Sequence, residues 1–326
     1  MTTLQPTANA ADLPAPAAPA TPAIPARTWI AVVGATLGAF MAVLNIQIVN
    51  ASLADIQGGI GAGIDDGGWI STSYLIAEIV VIPLSGWLAQ VFSVRTYLLT
   101  NAFLFLVFSA ACALAQDLPQ MIALRAVQGF TGGVLIPMAF TLIITLLPKA
   151  KQPIGLALFA LSATFAPAIG PTIGGYLTEN WGWQYIFYVN LVPGAVMIAM
   201  LFVSLDPSPM KLSLLRQGDW LGIITMAIGL AALQTVLEEG NKDDWFGSPF
   251  IVRLSVIAAV ALVARHPVPA DVEAQGLRLR RVPAARQPRA EARHEVVGNV
   301  GERGAVEQFA QVRRHLDLAR MRAQGM

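Results

Sequence analysis

Two ionisable side chains stand deep in the first six apolar runs of this sequence. They are Glu78 in STSYLIAEIVVIPL and Arg125 in LRAVQGFTGGVLIP. An ionisable group in a hydrocarbon-length segment is costly, so its presence points to work done there. Glu78 shares a helix face with Ser71 and Tyr74 through the spacing i, i+3, i+7. A carboxyl at that depth is a candidate proton carrier, because the cost of burying its charge competes with ionisation. It could equally be a structural acid hydrogen-bonded between helices. Arg125 has Gln128 one turn on. It reads either as a fixed cation acting on a carboxylate or on carbonyl groups, or as an arginine snorkelling to the membrane interface. Asn45, Gln47 and Asn50 crowd into VLNIQIVNASL. Three amides in one apolar helix need partners, which a polar pathway or plain helix packing would both supply. In FAPAIGPTIGGYL, Ala166, Gly170 and Gly174 form a stripe of small residues at every fourth position. Pro167 and Pro171 repeat beside it and predict a bent helix.

These residues must be positioned by membrane helices. Of 326 residues, 55% are hydrophobic and only 13% charged, against about a quarter charged in aqueous domains. Several apolar runs reach the ~20 residues that cross a hydrocarbon core. The expected spans are 29–53, 69–88, 97–115, 120–147, 154–177, 184–205 and 219–237. An eighth run, 250–264, is too short to cross unaided and contains Arg253. The fold class is therefore an all-α membrane protein. The spans hold no histidine, no metal-ligand cluster and no Walker-type glycine loop. Neither an enzyme nor an ATP-driven pump is expected, and no cofactor or metal. A net charge of +1 argues against a nucleic-acid partner. The single cysteine, Cys112, lies in an apolar run and reads as packing.

Basic residues alternate between loops. Arg27, Arg95, the pair Lys149 and Lys151, and the pair Lys211 and Arg216 fall on one side. The loops ADIQGGIGAGIDDGG, QDLPQ and TENWGW between them carry no Lys or Arg. Counted as positive-inside, this places the N-terminus in the cytoplasm. Trp29, Trp69, Trp181, Trp183, Trp220 and Trp245 sit at span ends, as an aromatic belt would. Residues 1–26 are rich in Ala and Pro and read as a disordered cytoplasmic tail.

Composition changes abruptly after Ala264. All three histidines and twelve of the 21 basic residues lie beyond it, every one of those twelve an Arg. The stretch 265–326 contains no Trp or Tyr and no further span. It reads as an unrelated, disordered Arg-rich end from a frameshift or chimera, or else as a basic tail on anionic lipid.

Four motifs in order resemble the major facilitator superfamily, and within it the 14-helix drug:proton antiporters of the EmrB/QacA type. LNIQIVNASLADIQ resembles the first-helix signature D-x-T-I-V-N-x-A-L-P. GWLAQVFSVR, with Gly86, Gln90 and Arg95, sits where the gating loop G-x-L-A-D-R-x-G-R-K belongs. LRAVQG resembles R-x-x-Q-G. GPTIGG, with Gly170, Pro171, Gly174 and Gly175, resembles the antiporter motif G-P-x-x-G-G. The resemblance covers roughly residues 27–264.

It implies two six-helix domains, each of two inverted three-helix repeats, with a drug site between them. The 14-helix members insert two helices between the domains. On that map 27–205 is the N-terminal domain, and 206–264 holds a loop and the inserted spans seven and a partial eight, with the second domain absent. The implied activity is proton-coupled efflux of amphipathic drugs or other small molecules. A periplasmic adaptor and an outer-membrane channel are implied partners. Asn45 stands where the family carries an acid, which leaves Glu78 to take the protonatable role. Gln90 stands where the gating loop has Asp. The competing readings are a truncated fragment that does not transport, and a seven-span receptor or scaffold.

Overall fold

A computed structural model describes residues 24–63 and 65–263, which lie within one compact unit. The expectations for residues 1–23 and 265–326 lie outside the described residues. The regular elements described are helical. They are α1 (Ala26–Ala51), α2 (Leu53–Ile60), α3 (Trp69–Phe92), α4 (Val94–Cys112), α5 (Leu118–Gly132), α6 (Leu135–Leu146), α7 (Gln152–Trp181), α8 (Tyr185–Tyr188), α9 (Leu191–Ser204), α10 (Trp220–Glu239) and α11 (Pro249–Val263), with 3₁₀ turns at Leu212–Gln217 and Trp245–Gly247.

Seven of the resulting segments are long and apolar enough to cross a membrane, with α5 and α6 counted as one span and α8 and α9 as another. They match the seven spans expected from the sequence. Helix α11 has 15 residues, roughly 22 Å at the α-helical rise, short of a ~30 Å hydrocarbon core. The two broken spans share one feature. Proline has no N–H, so Pro137 cannot bond back to Gly133, nor Pro193 to Val189, the carbonyls four residues earlier. The α5–α6 joint falls at Gly133–Val134 and the α8–α9 joint at Val189–Asn190. At the second joint the Asn190 Nδ2 donates to the Ser109 Oγ at 3.0 Å, and that hydroxyl donates to the Phe187 carbonyl at 2.8 Å. Buried polar groups of α4 thus take up part of what the break exposes.

Helix α1 runs through the middle of the bundle and packs on α6, α7 and α9. Its small residues permit this. A Cβ at Gly38 would stand 2.6 Å from the Met197 Sδ, and one at Gly34 would stand 3.0 Å from the Met200 Cβ. Helix α3 packs on α5 along one side and on α10 along another, and α4 packs on α5 and α9. One end of the bundle is basic. There the Arg27 Nη2 pairs with the Asp206 Oδ1 at 2.7 Å, and Arg95 donates to the Phe202 carbonyl at 3.1 Å with its guanidinium 4.7 Å from the Phe202 ring centre. The other end carries Asp65, Asp66, Asp117 and Glu239 at the ends of α3, α5 and α10.

Two expectations are corrected. The loop placed over residues 86–95 is almost absent, because Gly86 and Gln90 belong to the last turns of α3. The chain reverses at Ser93 alone, which adopts φ 66° and ψ 143° between α3 and α4. The apolar run ends near residue 88, but hydrogen bonding carries the helix to Phe92. Trp183 is not in an aromatic belt. It is 9% exposed, packs edge-on to Phe187 with ring centres 6.3 Å apart, and lies against Gly59 of α2, whose missing side chain makes room for the indole.

Candidate functional site

Arg125 is only 1% exposed and points into the bundle. That excludes the snorkelling reading. Its Nη1 donates to the Asn45 Oδ1 at 2.8 Å and to the Gln128 Oε1 at 2.7 Å, and its Nε donates to the Ile70 carbonyl at 3.2 Å. The Tyr74 ring lies 4.2 Å from the guanidinium carbon, within the range of a cation–π contact. The Cys112 Sγ lies 3.6 Å from the Gln128 Oε1. One residue thus joins α1, α3 and α5 through hydrogen bonds from a fixed cation, which are stronger than neutral ones.

The ion pairs among the described residues are Arg27–Asp206 and Glu239–Lys242, so Arg125 has no carboxylate in direct contact. Glu78 stands one turn beyond Tyr74 on α3, against Gly133 at the end of α5, and makes neither a hydrogen bond nor an ion pair with Arg125. Glu78 is 7% exposed. Among the described residues its Oε1 has no hydrogen-bond partner, nor do the Asn45 Nδ2, the Tyr74 Oη and the Gln128 Nε2. Unpartnered buried polar groups are expensive and rare. Four of them around one buried cation make a buried polar cluster with three spare donors and one spare carboxylate oxygen.

The cluster depends on Gly129, the glycine of the LRAVQG match, and on Gly132 and Gly133, which were not singled out from the sequence. A Cβ at Gly129 would collide with the Tyr74 backbone carbonyl. One at Gly132 would stand 2.8 Å from the Tyr74 hydroxyl, and one at Gly133 would stand 2.9 Å from the Glu78 Cα. GFTGG therefore lets α3 lie directly on α5, which brings Tyr74 and Glu78 to Arg125. The signal was present as small residues at helical spacing. The roles of the Ile70 carbonyl and Cys112 had no sequence signal.

The three amides of α1 part company. Asn45 is fully buried at Arg125. Gln47 packs against Gly170 of α7, and Asn50 is exposed, its Oδ1 accepting from the Ser71 hydroxyl at 2.6 Å. Within the motif GPTIGG, Gly170 and Gly174 face α1: a Cβ at Gly174 would stand 3.0 Å from the Ile48 carbonyl oxygen. Pro171 is exposed and Gly175 has open space beside it. Helix α7 stays continuous through both prolines. Asn45, Tyr74, Glu78, Arg125 and Gln128 therefore converge, whereas Gln47, Asn50, the α7 motif and Gly86, Gln90 and Arg95 lie elsewhere.

Comparison with known proteins gives this arrangement a context. Residues 35–271 match the Major Facilitator Superfamily model. The chain is 39% identical over 222 residues to the colistin resistance protein EmrB of Acinetobacter baumannii, which covers 68% of this chain and 43% of that protein. It is 34% identical over 233 residues to the multidrug export protein EmrB of Escherichia coli K12, with 72% and 45% covered. It is also 34% identical over 226 residues to the fatty acid resistance protein FarB of Neisseria gonorrhoeae, with 69% and 44% covered. The chain thus spans less than half the length of these relatives. In architecture it is similar to the proton:xylose symporter XylE, with a TM-score of 0.50, 16% identity, and 67% of this chain and 55% of that one covered. The bundle of membrane-spanning helices and the family match together establish that this chain is a multi-pass membrane protein belonging to the major facilitator superfamily.

Proposed function

We propose that residues 24–263 supply the N-terminal part of a proton-coupled efflux pathway for amphipathic drugs or other small molecules, with Glu78 as the proton-carrying group. The observation that carries this reading is the Glu78 carboxyl itself. It is buried and leaves one oxygen without a partner, one helical turn from Tyr74, whose ring lies on the buried Arg125 guanidinium. An ionised Glu78 is stabilised by Arg125, and a protonated Glu78 leaves Arg125 to its amides and carbonyl. A group balanced between two such states is what proton exchange requires. Asn45 occupies the position where an acid would pair directly with Arg125, and as an amide it cannot titrate. The resemblance to drug-exporting relatives supports the substrate class. The basic end of the bundle supports a cytoplasmic N-terminus in a bacterial inner membrane. A periplasmic adaptor and an outer-membrane channel complete the proposal as partners.

The test is proton movement driven by an amphipathic dye, in liposomes containing the full chain and a pH indicator. Glu78→Gln should abolish the dye-driven proton signal and Glu78→Asp should keep part of it. An undiminished signal in Glu78→Gln refutes the role of Glu78. If the unsubstituted chain neither lowers dye accumulation in a pump-deficient strain nor moves protons, the chain does not transport by itself and the fragment reading stands.

A further inference from the structure

Helix α10 comes after the six-span bundle in the chain, yet it is bound to α3 at both ends. At the acidic end, Glu239 is 4% exposed although it is the last residue of α10. Its Oε1 accepts from the Thr72 hydroxyl at 2.7 Å, and Thr72 is itself 2% exposed. Its Oε2 lies 3.5 Å from the Lys242 Nζ, and that ammonium also donates to the Asp65 carbonyl in the segment leading into α3. Gly68, just before α3, lies beside the carboxylate: a Cβ there would be in ordinary contact with the Glu239 Oε1, at 3.6 Å. At the basic end, Trp220 meets Trp87 of α3 edge to face, with ring centres 5.7 Å apart and planes at 82°. The Lys211 N–H, ahead of α10, donates to the Val91 carbonyl at 2.7 Å.

The direction of this grip matters. Thr72 lies about 200° around the helix from Tyr74 and about 240° from Glu78 at ~100° per residue. Helix α3 is therefore held between α10, on the Thr72 side, and the glycines of α5, on the Tyr74–Glu78 side. Ile70, whose carbonyl binds Arg125, lies two residues before Thr72. A buried carboxylate satisfied by one hydroxyl and one ammonium is a directional, charge-assisted contact. It differs in this from apolar packing, which lets membrane helices slide and rotate more freely.

We infer that Glu239 is a positioning residue that fastens α10 to α3, so that the α10–α11 pair moves as one body with the six-span bundle. Its grip also holds the first turn of α3 against Arg125. The inference is independent of whether Glu78 carries protons, since it concerns which helices move together.

Amide hydrogen exchange of the full chain in lipid nanodiscs tests it. Glu239→Ala should speed exchange about tenfold or more, as loss of a charged hydrogen bond implies, in two segments distant in sequence, 61–72 and 236–248. Exchange in α7 should stay unchanged. Thr72→Val, close in shape to the native side chain, should loosen the same two segments to a smaller degree. The double variant should be no looser than Glu239→Ala alone. Faster exchange confined to 236–248 would mean that Glu239 only closes its own helix, and additive effects would mean that the two residues act separately. Either result overturns the inference. If Glu239→Ala loosens every helix, Thr72→Val decides: no change at 236–248 overturns the inference, and a linked change at both segments upholds it.

Discussion

Replacing Arg125 with Met should destabilise the chain, and removing its partners as well should restore most of the loss. The side chains of Arg125, Asn45 and Gln128 are at most 1% exposed. Met at position 125 fills a similar length but donates nothing. The Asn45 Oδ1 and the Gln128 Oε1 would each lose a bond from a cation, at 2.8 and 2.7 Å, and the Ile70 carbonyl would lose one at 3.2 Å. A buried group left unsatisfied costs about 1–3 kcal/mol. Breaking a buried charged cluster from one side costs about 3–5 kcal/mol. Loss of the contact with the Tyr74 ring adds to this, and relief of the buried charge subtracts from it, so about 4 kcal/mol is expected. At about 2–4 °C per kcal/mol for a domain of this size, the thermal midpoint should fall by roughly 10 °C.

The triple variant Arg125→Met, Asn45→Leu, Gln128→Leu removes donor and acceptors together. Apolar replacement of both sides of a buried polar contact is nearly neutral. The triple variant should therefore melt within about 1 kcal/mol of the unsubstituted chain while losing any dye-driven proton signal. Tryptophan-fluorescence melts of nanodisc-embedded protein give the midpoints of both variants, and the liposome assay gives the proton signal. If Arg125→Met melts like the parent, or if the triple variant is no more stable than the single, the cluster does not hold the three helices together and the reasoning fails.

Two further outcomes follow from backbone geometry. Ser93, at φ 66° and ψ 143°, occupies a region that costs a residue other than glycine about 1–3 kcal/mol. Its Oγ accepts from the Thr96 N–H at 3.4 Å. Ser93→Gly should raise the thermal midpoint by the equivalent of about 1 kcal/mol, because a glycine cap loses only a few tenths. Ser93→Ala keeps the strain and loses the cap, so it should lower the midpoint, and the reverse order would show that the joint is unstrained. Gly129→Ala sets a methyl against the Tyr74 backbone and should cost about 1–3 kcal/mol by overpacking. Gly175→Ala has open space and should be neutral or slightly stabilising, since Ala is the better helix former by about 1 kcal/mol. Equal melting of these two variants would remove the close approach of α3 and α5 from the account.

Most of the fold was legible in the sequence because a bilayer imposes a simple rule. A segment of sufficient length and apolarity must be a spanning helix, since no other local structure satisfies its backbone in lipid. Hence all seven spans were found. The limits of α3 were not, because the hydropathy of a segment fades before its hydrogen bonding does, and the α3–α4 joint rests on one residue's dihedral angles. That Glu78, Arg125, Asn45, Tyr74 and Gln128 lie inside apolar runs was also legible. Which of them meet was not. Asn45, Gln47 and Asn50 lie within six residues of sequence, yet rotation about α1 sends only Asn45 to Arg125. Glu239 and Thr72 lie 167 residues apart, and neither carries a local mark of the other. The sequence by itself determined the spans and which polar residues lie within them. Only tertiary structure decided which of those residues touch, because contact depends on helix rotation and on the glycines that let backbones approach, and neither is encoded locally.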